Sequence, residues 1–435
     1  MDRRQFLAAG AVTALAAKPK LVAAGGPVRS QPLKSTFWGP EYYDEKEQQQ
    51  LMDVLHAHSP FRWYGPEQPV KVATFEKELA SRMQARYALA VTSGTAALQC
   101  AVNALGIGPG DEVILPAWTW HSCYSAIVLA GALPVFAEID ESFNLDPSDI
   151  EHRITPDTKA IMAAHLQGNP CDLDRILAVA RKHNVRVIED CAQSVGASYK
   201  GRPVGSFGDI GIYSLQINKT ITAGEGGAVV TSDPVLFERA ARFHDLGVLR
   251  PFHEQVAGER RLNPFAGANF RMSEFTGGVL LAQLHKLDRI VADVRANSHR
   301  VYDGIRDLPG VHLRLVPDPE GELGSGVFLG FRNKDQRDRY RAAMKSENVP
   351  AEPPGGSAIL PVQTYIEKKL TVHQAWPSFI SERGRAIQYG AAACPRTIDI
   401  LNRFAGVPID PKFSKRDADD VVAAIRKVYP AIAQT

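Results

Sequence analysis

Lys219 follows Ser214 by five residues and precedes a glycine-rich turn, Gly224-Glu225-Gly226-Gly227. A lysine amine held at a sheet edge, its pKa lowered by partial desolvation or nearby positive charge, can condense with an aldehyde and later act as a base. On an open surface the same lysine is only a solvated cation, so its neighbours decide. The run Val187-Ile188-Glu189-Asp190-Cys191-Ala192-Gln193 ends an apolar stretch in two carboxylates. An aspartate there can pair with a protonated ring nitrogen, and Gln193 can reach a ring oxygen; the other reading is a carboxylate that caps the next helix. Thr92-Ser93-Gly94-Thr95 stands directly after another apolar stretch and opens a helical one. A glycine admits close backbone approach, and free N–H groups at a helix start bind phosphate. An ordinary strand–turn–helix with Thr95 near the cap has the same pattern. Ser214 is placed to add a hydroxyl to such a phosphate site. Trp120, in Trp118-Thr119-Trp120, offers an indole that can stack on a flat ring or fill a core or interface.

Each of these residues stands at the end of a short apolar segment, and only a sheet brings such ends together. Strands are expected over residues 87–91, 112–115, 133–137, 160–163, 185–188, 210–213 and 227–231, with amphipathic runs such as 172–182 between several of them. The alternation argues an α/β domain with a largely parallel sheet and helices on both faces. Short loops between the last strands predict one antiparallel member. Met272, Phe275, Val279, Leu280, Leu284, Leu287 and Val291 fall at helical spacing and predict one long helix over 272–291. It leads from a large domain, 30–300, into a smaller one, 301–435. Residues 349–361, rich in Pro and Gly, read as a loop, and 414–428 as a helix with Ser414 near its cap.

Six blocks in order carry a family resemblance: Ser93-Gly94-Thr95-Ala96-Ala97-Leu98; Pro116-Ala117-Trp118-Thr119-Trp120; His165-Leu166-Gln167-Gly168 through Asp172; Ile188 through Gln193; Ser214 through Lys219 and on to Gly227; and Asn269-Phe270-Arg271-Met272-Ser273-Glu274. With them the chain resembles the DegT/StrS-type sugar aminotransferases, a branch of the fold-type I enzymes that use pyridoxal 5'-phosphate (PLP). The resemblance runs from about Phe75-Glu76 to the C-terminal helix. It implies an α/β large domain with a mixed, mostly parallel seven-stranded sheet flanked by helices, plus a smaller C-terminal α+β domain. It also implies that Lys219 holds PLP as a Schiff base and shuttles the proton. Asp190 pairs with the ring nitrogen, Gln193 contacts the ring oxygen, and Trp120 stacks on the ring. Gly94, Thr95 and Ser214 bind the phosphate, and Asn269 reaches the phosphate of a neighbouring subunit, hence a homodimer with shared sites. The implied reaction moves an amino group from glutamate or glutamine to a keto-sugar or keto-cyclitol. Gln216, in place of an aromatic, is similar to members acting on cyclitol ketones. Specificity is expected in Phe61-Arg62-Trp63-Tyr64-Gly65 and around Pro353-Pro354-Gly355-Gly356. A PLP-dependent sugar dehydratase and a non-catalytic PLP-binding regulatory protein are the competing readings. Lys219 speaks against the first, and retention of the cofactor set against the second.

Composition narrows the partners. Among 435 residues, 45% are hydrophobic and 23% charged, with a formal net charge of +2. That balance makes no electrostatic case for nucleic acid or an anionic membrane. The five cysteines are odd in number, widely spaced and without metal-ligand spacing, so buried thiols are expected and no metal. Arg3-Arg4-Gln5-Phe6-Leu7, an Ala-rich apolar run and small residues to Gly26 predict a twin-arginine-type signal peptide over 1–26 and export to the periplasm. A disordered basic leader on a cytoplasmic protein is the other reading.

Overall fold

A computed structural model of the chain describes residues 26–433, so the expected leader, apart from Gly26, lies outside the described residues. Seven strands form one sheet: β1 (Tyr87–Val91), β2 (Glu112–Pro116), β3 (Leu133–Ala137), β4 (Thr158–Ala164), β5 (Arg186–Asp190), β6 (Ile210–Ser214) and β7 (Gly227–Thr231). Their order is β1-β7-β6-β5-β4-β2-β3. Strands β2 to β6 are joined in parallel, while β7 runs antiparallel to both β6 and β1. Two antiparallel steps restore direction, so β1 points the same way as β5 and β6.

The strands read as near-continuous apolar runs because both faces are covered. Along β1, Ala88 and Ala90 enter one core while Tyr87, Leu89 and Val91 enter the other, the period of two that a pleated strand requires. This topology carries the carboxyl ends of β1, β5 and β6 to one edge, where open α/β sheets bind ligands.

The helix expected over 272–291 is two helices, Glu274–Leu284 and Leu287–Ile305. The apolar spacing continues across the break, but Lys286 interrupts it. Its buried ammonium donates to the Tyr42 carbonyl at 2.6 Å and to Glu47 Oε2 at 2.6 Å. A charge withdrawn from water needs such partners, and they lie on the N-terminal segment beside the turn.

Beyond residue 305, strands Gly326–Gly330 and Phe404–Pro408 pair antiparallel and carry helices Lys334–Ser346 and Lys415–Ala433. Ser414 Oγ accepts the Asp417 N–H at the start of the last helix. The first described residues pack here too: Arg29 pairs with Asp417 and Asp420 at 2.7 and 2.6 Å, and Leu33 N–H donates to the Asn348 carbonyl. In the chain between these two strands, the short strand Ala358–Ile359 pairs with Trp118–Thr119 in a two-stranded sheet apart from the seven-stranded one. None of the helices among the described residues is long and apolar enough to cross a membrane.

Candidate active site

A cavity of about 520 Å³ opens at the carboxyl edge of the sheet and is lined by Gly94, Thr95, Trp120, Asp190, Gln193, Ser214 and Lys219. Seven of the eight site residues expected from sequence are thus brought together. The eighth, Asn269, is exposed and does not line this cavity; it forms a backbone bridge to Asp245.

Lys219 rides on the connection from β6 to β7. The ladder continues past the strand ends, with Leu215 N–H to the Gly226 carbonyl at 2.9 Å and Ile217 N–H to the Gly224 carbonyl at 3.0 Å. A turn then closes from Lys219 N–H to the Gln216 carbonyl, and the Gln216 side chain accepts the Asn218 N–H. Gly224 sits at φ +83°, a left-handed conformation that disfavours other residues. The lysine is half-buried. Burial pushes its amine below the usual lysine range, against the opposing pull of Asp190 and Cys123.

The two carboxylates that end β5 part company because successive side chains point to opposite faces. Asp190 faces the cavity, buried; its Oδ1 accepts the Ala192 N–H at 2.9 Å and its Oδ2 the Cys123 thiol at 3.0 Å. Glu189 faces away. Its Oε1 accepts the N–H groups of Phe207 and Gly208, and its Oε2 accepts Gly205 N–H and His165 Nε2. Burial opposes ionisation of Glu189, yet the His165 hydrogen bond and the Gly208 and Gly205 N–H groups hold its carboxyl below the usual range. His165 Nδ1 accepts the Cys171 N–H. The ligating atoms of His165, Glu189 and Cys191 lie within 4.8 Å of one another, but the His and Glu atoms are engaged in this brace between strand and turn.

At the other end of the cavity, Ser93 caps helix Gly94–Ala104 by accepting the Ala96 N–H at 3.0 Å. The N–H groups of Gly94 and Thr95 belong to the first turn, where no intrahelical acceptor exists. A Cβ at Gly94 would stand 2.6 Å from Ser214 Cβ, so only glycine lets the start of this helix close on the end of β6. Thr95 Oγ1 lies 2.6 Å from Ser122 Oγ, another cavity residue. Trp120 lines the cavity while 53% exposed, with the His121 ring edge-on to its indole.

Gln193 ties the C-terminal part of the chain to the cavity. Its Nε2 donates to the Gly356 carbonyl and to Ser357 Oγ at 3.0 Å each, and its Oε1 accepts the Gln167 N–H. Gln167 Nε2 donates to the Gly355 carbonyl. The loop around Gly356 therefore roofs the cavity. The segment Phe61 to Gly65 lies elsewhere, its Arg62 in a buried pair with Glu76 and its Trp63 edge-on to His253. Arg271 pairs with Asp245. Sequence reasoning missed Trp38, Ser122, Cys123 and Ser325.

These groups fit PLP: a half-buried amine for the aldehyde, a buried carboxylate for the ring nitrogen, and a helix start with two hydroxyls for the phosphate. Comparisons with known proteins point the same way. A GDP-perosamine synthase of Escherichia coli O157:H7 is 41% identical over 242 residues, covering 55% of this chain and 65% of that one. The chain thus spans just under two thirds of the length of that relative. An L-glutamine:2-deoxy-scyllo-inosose aminotransferase of Streptomyces kanamyceticus is 42% identical over 287 residues, covering 62% and 67%. The solved structure of an aminotransferase from Psychrobacter cryohalolentis superposes with a TM-score of 0.74 at 29% identity, covering 92% of this chain and all of that one. The mixed seven-stranded sheet flanked by helices is the fold of PLP aminotransferases. With residues 42–426 matching the family model, the chain belongs to the DegT/DnrJ/EryC1/StrS aminotransferase family.

Proposed function

We propose that the chain is a PLP-dependent aminotransferase that moves an amino group from glutamate or glutamine to a keto-sugar or keto-cyclitol, with Lys219 and Asp190 as its catalytic pair. The observation that carries this reading is their sharing of one cavity, the amine lowered toward its neutral form and the carboxylate anchored on both oxygens. PLP, when bound, supplies an electron sink for the carbanion formed on proton removal. Lys219 Nζ, once free and neutral, takes the α-proton of the donor and returns it later in the cycle. Asp190 holds positive charge at the ring nitrogen, and Trp120 covers the ring face. Gln193 would contact the ring oxygen by exchanging one of its Nε2 hydrogen bonds to Gly356 or Ser357, while Gly94, Thr95 and Ser214 would hold the phosphate. The roof around Gly356 limits water at the reacting centre. A cyclitol acceptor is supported by Gln216, a neutral hydrogen-bonding residue of the cavity wall, and by the relative named for an inosose. Asn269, exposed on the surface, is proposed to complete the phosphate site of a second copy, making a homodimer with shared sites.

The test is a screen of keto-sugars and keto-cyclitols with the PLP-loaded protein and glutamate or glutamine. Amine should appear on one acceptor class. A bound cofactor that stays spectrally unchanged with either donor would overturn the reading. The leader is proposed to direct export. Residues 1–26 fused to a folded reporter should carry it to the periplasm, and export surviving Arg3→Lys with Arg4→Lys would refute a twin-arginine route.

A further inference from the structure

We propose that Cys123 is a positioning residue for Asp190: its thiol donates to the carboxylate and fixes the orientation in which Asp190 meets the ring nitrogen of bound PLP. This rests on the cofactor reading above and names a residue which that reading does not use. Cys123 lies in the first turn of helix His121–Leu129, fully buried, with Sγ 3.0 Å from Asp190 Oδ2. An ionised carboxylate only accepts, so the proton on that line belongs to sulfur. Thr119 Oγ1, 3.3 Å from the same sulfur, extends the chain one step further. Burial, with the Asp190 charge second, pushes the Cys123 thiol well above its ordinary pKa, so it keeps the proton it donates.

Each oxygen of Asp190 thus has one anchor: a backbone N–H on Oδ1 and a thiol on Oδ2. Two anchors fix the carboxylate plane, where one would leave it free to turn about its last bond. A thiol is a weak donor. It orients the carboxylate while leaving most of its acceptor strength for a ring N–H. The neighbouring residue, Ser122, meets Thr95 at the phosphate end. One helical turn therefore sets both ends of the cradle at once. A purely packing role, the usual one for a buried cysteine, makes a different forecast, because it depends on volume and not on the donor.

The test uses apo-protein reloaded with PLP labelled with ¹⁵N in the ring, for wild type, Cys123→Ala and Cys123→Ser. The dissociation constant is read by titration and the ring-nitrogen protonation by its ¹⁵N resonance. Cys123→Ala should bind about tenfold more weakly, the scale of one hydrogen bond to a charged group, and shift the resonance; Cys123→Ser should restore both to within about twofold. Equal losses in Ala and Ser, or wild-type behaviour in Ala, would overturn the proposal. Failure of wild type itself to bind PLP would overturn the cofactor reading instead, so the two failures are distinct.

Discussion

Replacing Glu189 with glutamine tests how the structure divides two adjacent carboxylates. Glu189 Oε1 accepts Phe207 and Gly208 N–H at 2.6 Å each, and Oε2 accepts Gly205 N–H at 2.7 Å and His165 Nε2 at 3.2 Å. Because His165 Nδ1 accepts the Cys171 N–H, Nε2 carries the ring proton. Glutamine keeps one oxygen and turns its NH2 on two groups that also donate. At about 1.5–3 kcal/mol for each bond to a charged group, the loss is about 3–6 kcal/mol. Relief of the buried charge's desolvation pulls the net toward about 3 kcal/mol, a large share of a typical stability of about 5–15 kcal/mol. Urea unfolding of the apo-protein near neutral pH should show it as a lower midpoint at unchanged slope. The pH dependence has a definite sign. The folded pKa of Glu189 is depressed, so its contribution is present above the unfolded value of about 4.3 and lost as pH falls through the folded value. The gap between wild type and variant should narrow on acidification below that point. Asp190→Asn, one residue on, should leave stability within about 1 kcal/mol, because its amide oxygen keeps the Ala192 N–H and its NH2 meets the Cys123 sulfur; amino transfer should fail. A Glu189→Gln midpoint equal to wild type, or an Asp190→Asn variant that turns over normally, would refute this division of labour.

Lys219→Met should be more stable than wild type as apo-protein at neutral pH, measured by thermal unfolding. The buried amine has a folded pKa below its unfolded value, so its penalty is present at low pH and relieved as pH rises toward about 10.4; the advantage should shrink over that rise. The same variant should lose cofactor attachment, seen as loss of the visible absorption band. Arg62→Ala should cost about 3–5 kcal/mol, since it strands a buried charge. Burial opposes ionisation of Glu76, yet Arg62 above all holds its carboxyl at about 2, so the pair's contribution is present above about 4.3 and fades as pH falls toward that folded value; urea titrations at stepped pH check it. Mixing inactive Lys219→Ala with impaired Asn269→Ala, then dissociating and reassociating them, should restore activity if each site draws on two copies. No gain over the separate variants would refute shared sites.

Much of this was legible because burial on both faces writes the sheet into the sequence as apolar runs bounded by glycine and polar turns. All seven expected strands are present, and the residues at three of their ends meet in one cavity. What stayed hidden depends on partners distant along the chain. The break at Lys286 needs Glu47, 239 residues earlier, while the apolar spacing runs on across it. The roof needs Gln193 to find Gly356, 163 residues later. Pro and Gly marked 349–361 as a loop without marking where it would dock. Cys123 was legible only as a buried thiol, because a single strong acceptor, 67 residues away, gives it direction.

The attachment of Arg29 to Asp417 joins residues 388 apart. Synthesis delivers Arg29 long before Asp417, so this part of the seat of residues 26–33 forms only once the helix Lys415–Ala433 exists. Loop-closure entropy rises only with the logarithm of length, and the late seating is thermodynamically cheap. Its timing is what matters: a chain lacking the helix Lys415–Ala433 would lose the Arg29 anchor and hold this stretch less firmly against proteolysis.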